Sequence, residues 1–99
     1  MKNSEVAEAF ARGAVKGEGS HMYIEGNAMY SFGRHFPLAI RYLTGFVINN
    51  EKYSSSTSTQ QFYTRQAIKG RILFSTTDEM LEAIRENFNT VEEFLAWKI

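Results

Sequence analysis

The densest mixture of aromatic and chemically active side chains lies in residues 30–37, where Arg34 and His35 directly follow Gly33. Arginine can hold a phosphate through two parallel N–H donors, and histidine changes its charge near neutral pH. No carboxylate lies close in the sequence to orient the imidazole of His35, so a binding role is favoured over general-base catalysis. The structural alternative is a surface turn in which His35 bonds to the backbone.

Aromatic and cationic residues alternate through the middle of the chain. Rings that stack on bases, with cations between them, are typical of surfaces that bind nucleic acids. The alternative is that the rings fill the core, which a small domain needs. The sequence nominates these binding residues: Tyr30, Arg34, His35, Arg41, Lys52, Tyr53 and Arg65.

Sequence motifs for catalysis and for cofactor binding are missing. The chain has no cysteine and two histidines, which excludes thiolate nucleophiles and cysteine-ligated metals. It lacks a phosphate-binding glycine loop and paired carboxylates placed for acid–base work. We therefore expect no catalytic residue, no metal site, no cofactor and no enzymatic activity.

Charge is balanced overall but unevenly distributed. Residues 34–71 carry six Lys and Arg against Glu51 alone, a net charge of +5, whereas residues 72–99 carry two against six acids, a net charge of −4. A positive segment of this kind can mark a surface for a polyanion. The alternative is that the two segments neutralise each other in the fold.

The first part of the chain predicts one helix and several short strands. Ser4 can cap a helix over residues 4–12 in which Val6 and Phe10 share one face, and a glycine-rich link follows. Strands are predicted at residues 22–25, 28–32, 38–43 and 46–48. Pro37 indicates a sheet edge or a strand start, and residues 49–52 read as a polar turn.

Capping boxes predict the later helices. Ser58 with Gln61 predicts a helix over residues 59–69, which a strand at 72–74 follows. Thr76 with Glu79 and Thr90 with Glu93 predict two C-terminal helices that are broken near residues 87–89. Trp97, on the last of these helices, is expected to be largely buried.

Together these elements predict an α+β fold, a small antiparallel sheet with helices packed on it and two C-terminal helices. A chain of 99 residues suits one domain over residues 1–99: 1–19 a helix and link, 20–75 the sheet with one helix, and 76–99 two helices. No apolar run is long enough to span a membrane. We expect a cytoplasmic protein, with oligomerisation left open.

Two segments carry a resemblance to a known group of proteins. Residues 23–41, YIEGNAMYSFGRHFPLAIR, and residues 52–61, KYSSSTSTQQ, resemble the two motif blocks of a family of small proteins from phages, plasmids and their hosts. The resemblance covers about half of the chain, and the family has no assigned activity. Its members often carry histidine where this chain has Gln60, which argues against enzymatic function here. The resemblance implies a mobile-element setting and, for a virus-encoded chain, the host cytoplasm.

The sequence therefore predicts a small non-enzymatic binding module whose basic, aromatic middle contacts nucleic acid or an acidic protein surface. The first alternative is a protein-interaction or host-defence inhibitor module that uses the acidic C-terminal helices. A His35-dependent hydrolase or nuclease is the least favoured.

Overall fold

The computed structural model describes residues 1–31, 36–52 and 54–99, which form one sheet and four helices. The helices are α1 (Asn3–Ala11), α2 (Ser55–Ala67), α3 (Thr77–Glu86) and α4 (Val91–Lys98). The strands are β1 (Lys16–Glu18), β2 (Met22–Glu25), β3 (Ala28–Ser31), β4 (Phe36–Tyr42), β5 (Gly45–Asn49) and β6 (Ile72–Ser75). None of the described helices is long and apolar enough to cross a membrane.

The six described strands lie side by side in chain order, and neighbours run antiparallel from β1 to β5. β6 pairs with β5 in parallel. α2 lies between the two strands in the chain and returns it to the end of the sheet at which β5 begins, so both strands run in the same direction. The predicted α+β class and the two C-terminal helices are confirmed. The sheet is mixed rather than wholly antiparallel.

Side chains that alternate along β4 and β5 divide the core into two layers. Arg41 and Phe46 point toward α1, where the Phe46 ring lies 6.1 Å from the ring of Phe10. Their neighbours Ile40 and Val47 belong to a second cluster with residues of α3 and α4. α1 and α2 thus cover one face of the sheet, and α3 and α4 cover the other.

Pro37 lies inside the sheet rather than at its edge. Met29 pairs with Ala39 and Tyr30 pairs with Pro37, so Leu38 is an extra residue in β4. This bulge lets a residue without an N–H sit near the start of an interior strand. Of the two predicted alternatives, a sheet edge or a strand start, the structure has the strand start.

α1 begins one residue before the predicted start, and Ser4 is not its cap. The carboxylate of Glu5 accepts a hydrogen bond from the backbone N–H of Lys2 at 2.8 Å. Val6 and Phe10, predicted to share one face of this helix, are both fully buried. The glycine-rich link contains β1, which the sequence did not predict because its three residues, Lys-Gly-Glu, have no apolar alternation.

α2 begins four residues before the predicted start, and the predicted capping box is wrong. The hydroxyl of Ser54 caps the helix by accepting from the N–H of Thr57 at 3.2 Å. Gln61 is not available to a cap, because its Nε2 donates to the carbonyl oxygens of Asn49 at 3.0 Å and Glu51 at 2.7 Å. Its amide ties α2 to the end of β5.

The break between α3 and α4 is confirmed, since Asn87 ends α3 in the left-handed conformation with φ 57°. Thr90 and Glu93 form the predicted capping box of α4. Thr76 caps α3, but the Glu79 carboxylate accepts from Ser75 rather than from the backbone of Thr76.

Trp97, predicted to be largely buried, is partly buried and packs against the core cluster under α3 and α4. Its ring packs against those of Phe88 and Phe94 at 5.6 Å and 5.8 Å between centroids. Phe94, one turn earlier on α4, takes the fully buried position. Trp97 therefore covers the aromatic layer rather than filling it.

Candidate nucleic-acid interface

Three of the seven residues nominated from the sequence, Arg34, His35 and Tyr53, lie outside the described residues. The other four are Tyr30, Arg41, Lys52 and Arg65, and the structure does not bring them to one surface. Tyr30 and Arg41 are held by neighbours within the fold. Lys52 and Arg65 are exposed and flank or lie on α2.

Arg41 is bound to the C-terminal end of α1. Its Nη1 donates to the carbonyl oxygens of Phe10 at 2.8 Å and Ala14 at 3.0 Å, and its Nη2 donates to Gly26 at 3.4 Å. The guanidinium carbon lies 4.9 Å from the centre of the Phe10 ring. Burial lowers the pKa of Arg41. With these donors engaged, Arg41 holds a helix end in place, and such a role weighs against phosphate binding.

Tyr30 stacks on Tyr23 across β2 and β3, with ring centroids 5.2 Å apart and planes 18° apart. Alternation along the strands places this pair on the sheet face that α3 and α4 cover, away from α2. Burial raises the pKa of Tyr30, and the negative charge of Glu25 raises it further. The ring is thus already stacked within the fold.

The remaining exposed candidate on a helix, Arg65, belongs to a regular stripe on the outside of α2. Ser55, Ser58, Phe62 and Arg65 recur at three- and four-residue spacing, and all four are exposed. Phe62 stands 53% exposed, which is unusual for so large an apolar side chain. Lys69, also exposed, follows just beyond the end of the helix.

We call these five residues the cationic α2 surface: Ser55, Ser58, Phe62, Arg65 and Lys69. The segment that carries it is basic, because residues 52–77 contain four Lys and Arg and no acid, although Arg71 pairs with Glu92 of α4. The sequence did not single out Phe62 as exposed, since an aromatic ring in a helix is normally core. The available signal was the position of Phe62 midway between the polar residues Ser58 and Arg65.

The N-terminal halves of α1 and α2 are linked through a short loop between β1 and β2. Gln60 of α2 donates from Nε2 to the carbonyl oxygen of His21 at 2.9 Å. The N–H of His21 in turn donates to Oδ1 of Asn3 in α1 at 3.1 Å. The two helices therefore pack side by side with their starts at the same end of the sheet.

Their C-terminal ends also lie together. α2 leads into β6, where Ile72 pairs with Phe46, and the Phe46 ring contacts Phe10 near the end of α1. Arg12, exposed just after α1, therefore lies at the same end of the molecule as Lys69. Glu8 precedes Arg12 by one turn, so the excess of positive charge is on α2 rather than on α1.

At the opposite end of the sheet, polar side chains are buried and bonded to one another. Asn49 is fully buried, and its Nδ2 donates to the carbonyl oxygen of Pro37 and to Oγ1 of Thr77, each at 2.9 Å. Glu51 accepts from the N–H of Thr77 at the start of α3, which lowers the pKa of Glu51. The predicted polar turn is therefore a network that ties β4, β5 and α3 together.

Many acids of the C-terminal helices also have structural partners. Glu92 accepts from Thr44 at 2.8 Å and pairs with Arg71, and these contacts lower its pKa. Glu93 caps α4, and Glu79 binds Ser75 and lies 3.6 Å from Nζ of Lys98. The exposed acids of α3 are Asp78, Glu82 and Glu86, four residues apart along one side.

Within the described part of the chain, no group of three or more His, Asp or Glu side chains could hold a metal ion. Comparison of the chain with protein-family models, with curated proteins and with solved structures finds no match in any of the three. Interpretation of function therefore depends on the surfaces of this molecule alone.

Proposed function

We propose that this protein is a non-enzymatic binding module that contacts nucleic acid through the cationic α2 surface. The observation that carries the proposal is the exposed ring of Phe62 next to Arg65, on a segment without a single acidic residue. Core packing does not account for a ring that is 53% exposed. Neutralisation by neighbours along the chain does not account for the charge.

The chemistry of this surface matches a phosphate backbone with accessible bases. Arg65 and Lys69 neutralise phosphates, and the hydroxyls of Ser55 and Ser58 can donate to phosphate oxygens. Phe62 offers a face on which an unpaired base can stack. Because bases in a duplex are already stacked, we propose that single strands are preferred.

The nominated residues contribute unequally to this proposal. Lys52 and Arg65 supply charge at either end of α2, a helix of 13 residues, which spans about 20 Å at 1.5 Å per residue. Arg41 and Tyr30 support the fold instead of the contact. Arg34, His35 and Tyr53 remain candidates on sequence grounds, and a protonated His35 would add a positive charge that strengthens binding.

Fluorescence anisotropy with labelled single-stranded DNA, duplex DNA and RNA at two salt concentrations tests the proposal. The variant is Arg65→Ala with Lys69→Ala, and the matched control is Lys16→Ala with Arg85→Ala, which removes two exposed cations that lie on β1 and α3. The slope of log affinity against log salt should fall by about 0.7–0.9 for each α2 cation lost. Absence of binding at low salt, or an equal effect of the control, would exclude this function.

Phe62→Ala tests the stacking part separately. Loss of one base–aromatic stack costs about 1–3 kcal/mol, so affinity for single strands should fall about five- to 150-fold with the salt slope unchanged. Phe62→Trp should restore it. Leu43→Ala, which shortens an exposed apolar side chain elsewhere, is the control and should have no effect.

The acidic row of α3 supports a second candidate, an interaction module for a basic protein surface such as an inhibitor of host defence. Asp78, Glu82 and Glu86 are exposed and accept no hydrogen bond from the described residues. Reversing two charges with Glu82→Lys and Glu86→Lys should abolish capture of a basic partner and leave nucleic-acid binding intact. If instead only the α2 variants impair binding to cellular partners, this candidate is excluded.

A further inference from the structure

β6 forms one edge of the sheet and presents unused backbone groups. The carbonyl oxygens of Arg71 and Ser75 accept from the N–H of Phe46 in β5 and of Asn50 just after it, at 2.9 Å and 3.0 Å. In a parallel pair every second residue bonds to the neighbour, so the N–H and C=O of Ile72 and Phe74 point away from the sheet. No described strand lies on that side.

The two edges of the sheet differ in how they are protected. β1, at the other edge, is three residues long and carries the charges of Lys16 and Glu18. Short length and charge are common means of preventing edge-to-edge association. β6 has neither charge nor proline, and the side chain of Phe74 is 49% exposed.

We propose that β6 is the contact between two copies of this chain, which pair antiparallel about a two-fold axis. The axis passes at Leu73, so Ile72 of one copy lies opposite the partner's Phe74. Each such pair exchanges two N–H···O bonds, which satisfies all the outward-pointing groups of Ile72 and Phe74 in both copies. Cross-strand contact of Ile72 with the partner's Phe74 covers the exposed ring.

Charge on either side of β6 favours this self-pairing. Lys69 lies before the strand and Asp78 lies after it, and neither forms an ion pair with a described residue. Antiparallel pairing brings the Lys69 end of one copy toward the Asp78 end of the other. Parallel pairing of two copies would place Lys69 beside the partner's Lys69 and Asp78 beside the partner's Asp78. Opposite charges at the two ends of β6 therefore match a second, antiparallel copy of the same strand.

The contact is small, so the dimer is in rapid exchange and depends on concentration. A four-residue strand buries far less than the roughly 1,200–2,000 Å² of a stable interface. The measurement must therefore extend to high protein concentration, and nucleic acid must be absent so that the cationic α2 surface does not contribute.

Sedimentation equilibrium from about 1 to 500 µM tests the proposal, with affinities in the micromolar range expected for such an interface. Wild type should form a reversible dimer, and Phe74→Lys should weaken it at least tenfold. Leu43→Lys, at a position 86% exposed in the turn after β4, is the control and should leave the dimer unchanged. If Phe74→Lys fails to fold, Phe74→Thr keeps a strand-forming residue and serves instead.

Exchanging the charges at positions 69 and 78 tests whether the two β6 strands pair antiparallel. Lys69→Asp should weaken the dimer, and Asp78→Lys in the same chain should restore it. A wild type that is monomeric at 500 µM, an equal effect of Phe74→Lys and Leu43→Lys, or failure of this restoration would overturn the proposal.

Discussion

Arg41 in the middle of the sheet donates from one guanidinium nitrogen to the carbonyl oxygen of Phe10 at 2.8 Å, across 31 residues of sequence. The same nitrogen donates to the carbonyl oxygen of Ala14 at 3.0 Å, and the carbonyl oxygen of Phe10 also accepts from the N–H of Gly13 at 3.1 Å, so the guanidinium adds to the backbone hydrogen bonds that close the end of α1. The side chain of Arg41 in β4 therefore holds the end of α1 in place against the sheet.

Arg41→Ala should destabilise the fold by about 2–3 kcal/mol, because the hydrogen bonds from a charged donor to the carbonyl oxygens of Phe10 and Ala14 are lost. Arg41→Lys should recover only part of this, since an ammonium cannot reproduce the planar fork. Urea unfolding measures both. Arg65→Ala, on the exposed side of α2, should change the free energy of unfolding by less than about 0.5 kcal/mol.

Tyr42 is a buried ring whose hydroxyl has no hydrogen-bond partner among the described residues. Burial, with a further contribution from the charge of Glu93, raises the pKa of Tyr42 to about 12. Removal of an unsatisfied buried hydroxyl is close to neutral or favourable. Tyr42→Phe should therefore match or exceed the stability of wild type at pH 7.

The hydroxyl of Tyr42 also predicts that the protein loses stability in alkaline solution. The unfolded chain ionises Tyr42 near pH 10 and the folded chain only near pH 12. The unfolded state therefore binds fewer protons between these values, and stability falls as pH rises through them. Chemical denaturation should show that the free energy of unfolding falls less between pH 9 and pH 11 in Tyr42→Phe than in wild type. Equal losses in the two proteins would contradict the assignment to Tyr42.

Glu51 should contribute to acid sensitivity, because its ionised carboxylate accepts the N–H of Thr77 and its pKa is lowered. A lowered folded pKa gives stability that is present at neutral pH and is lost as the carboxylate protonates in acid. Glu51→Gln should therefore destabilise the protein more at pH 7 than at pH 3. Glu86→Gln, on the exposed side of α3, is the control for which no such difference is expected.

Truncation of Phe94 and truncation of Trp97 should lower the free energy of unfolding by different amounts, although both residues are aromatic and lie one turn apart. Phe94 is fully buried, and truncation to alanine leaves a cavity that costs about 3–5 kcal/mol. Trp97 is partly buried, so Trp97→Ala should cost clearly less under the same thermal unfolding conditions. Equal losses would show that the indole supports the core as Phe94 does.

Local signals predicted much of the fold. Capping hydroxyls at Thr76 and Thr90 and the apolar spacing that follows them specify α3 and α4 without reference to the rest of the chain. Ser58 and Gln61 show the limit of such reasoning. The same two-residue pattern is present, but the carbonyl oxygens at the end of β5 compete for the amide of Gln61 and the helix begins at an earlier serine.

The candidate surface was predicted less well, because charge along the chain does not reveal which cation the fold will use. Arg41 and Arg65 look alike in sequence, and only the tertiary structure separates a guanidinium that holds α1 from one that faces outward. Phe62 was not predicted as exposed for the same reason, since the packing of α2 against α1 determines which of its sides remains uncovered.

Strands that neighbour one another in chain order have a consequence for synthesis on the ribosome. The sheet from β1 to β5 can assemble from hairpins as soon as residue 49 has emerged, because each strand needs only its predecessor. Ile40 and Val47, fully buried in the fold, become covered only when α3 and α4 have been made after the sheet. A nascent chain stalled before residue 77 would expose this apolar layer, and chains truncated there should bind a hydrophobic dye that the chain of residues 1–99 excludes.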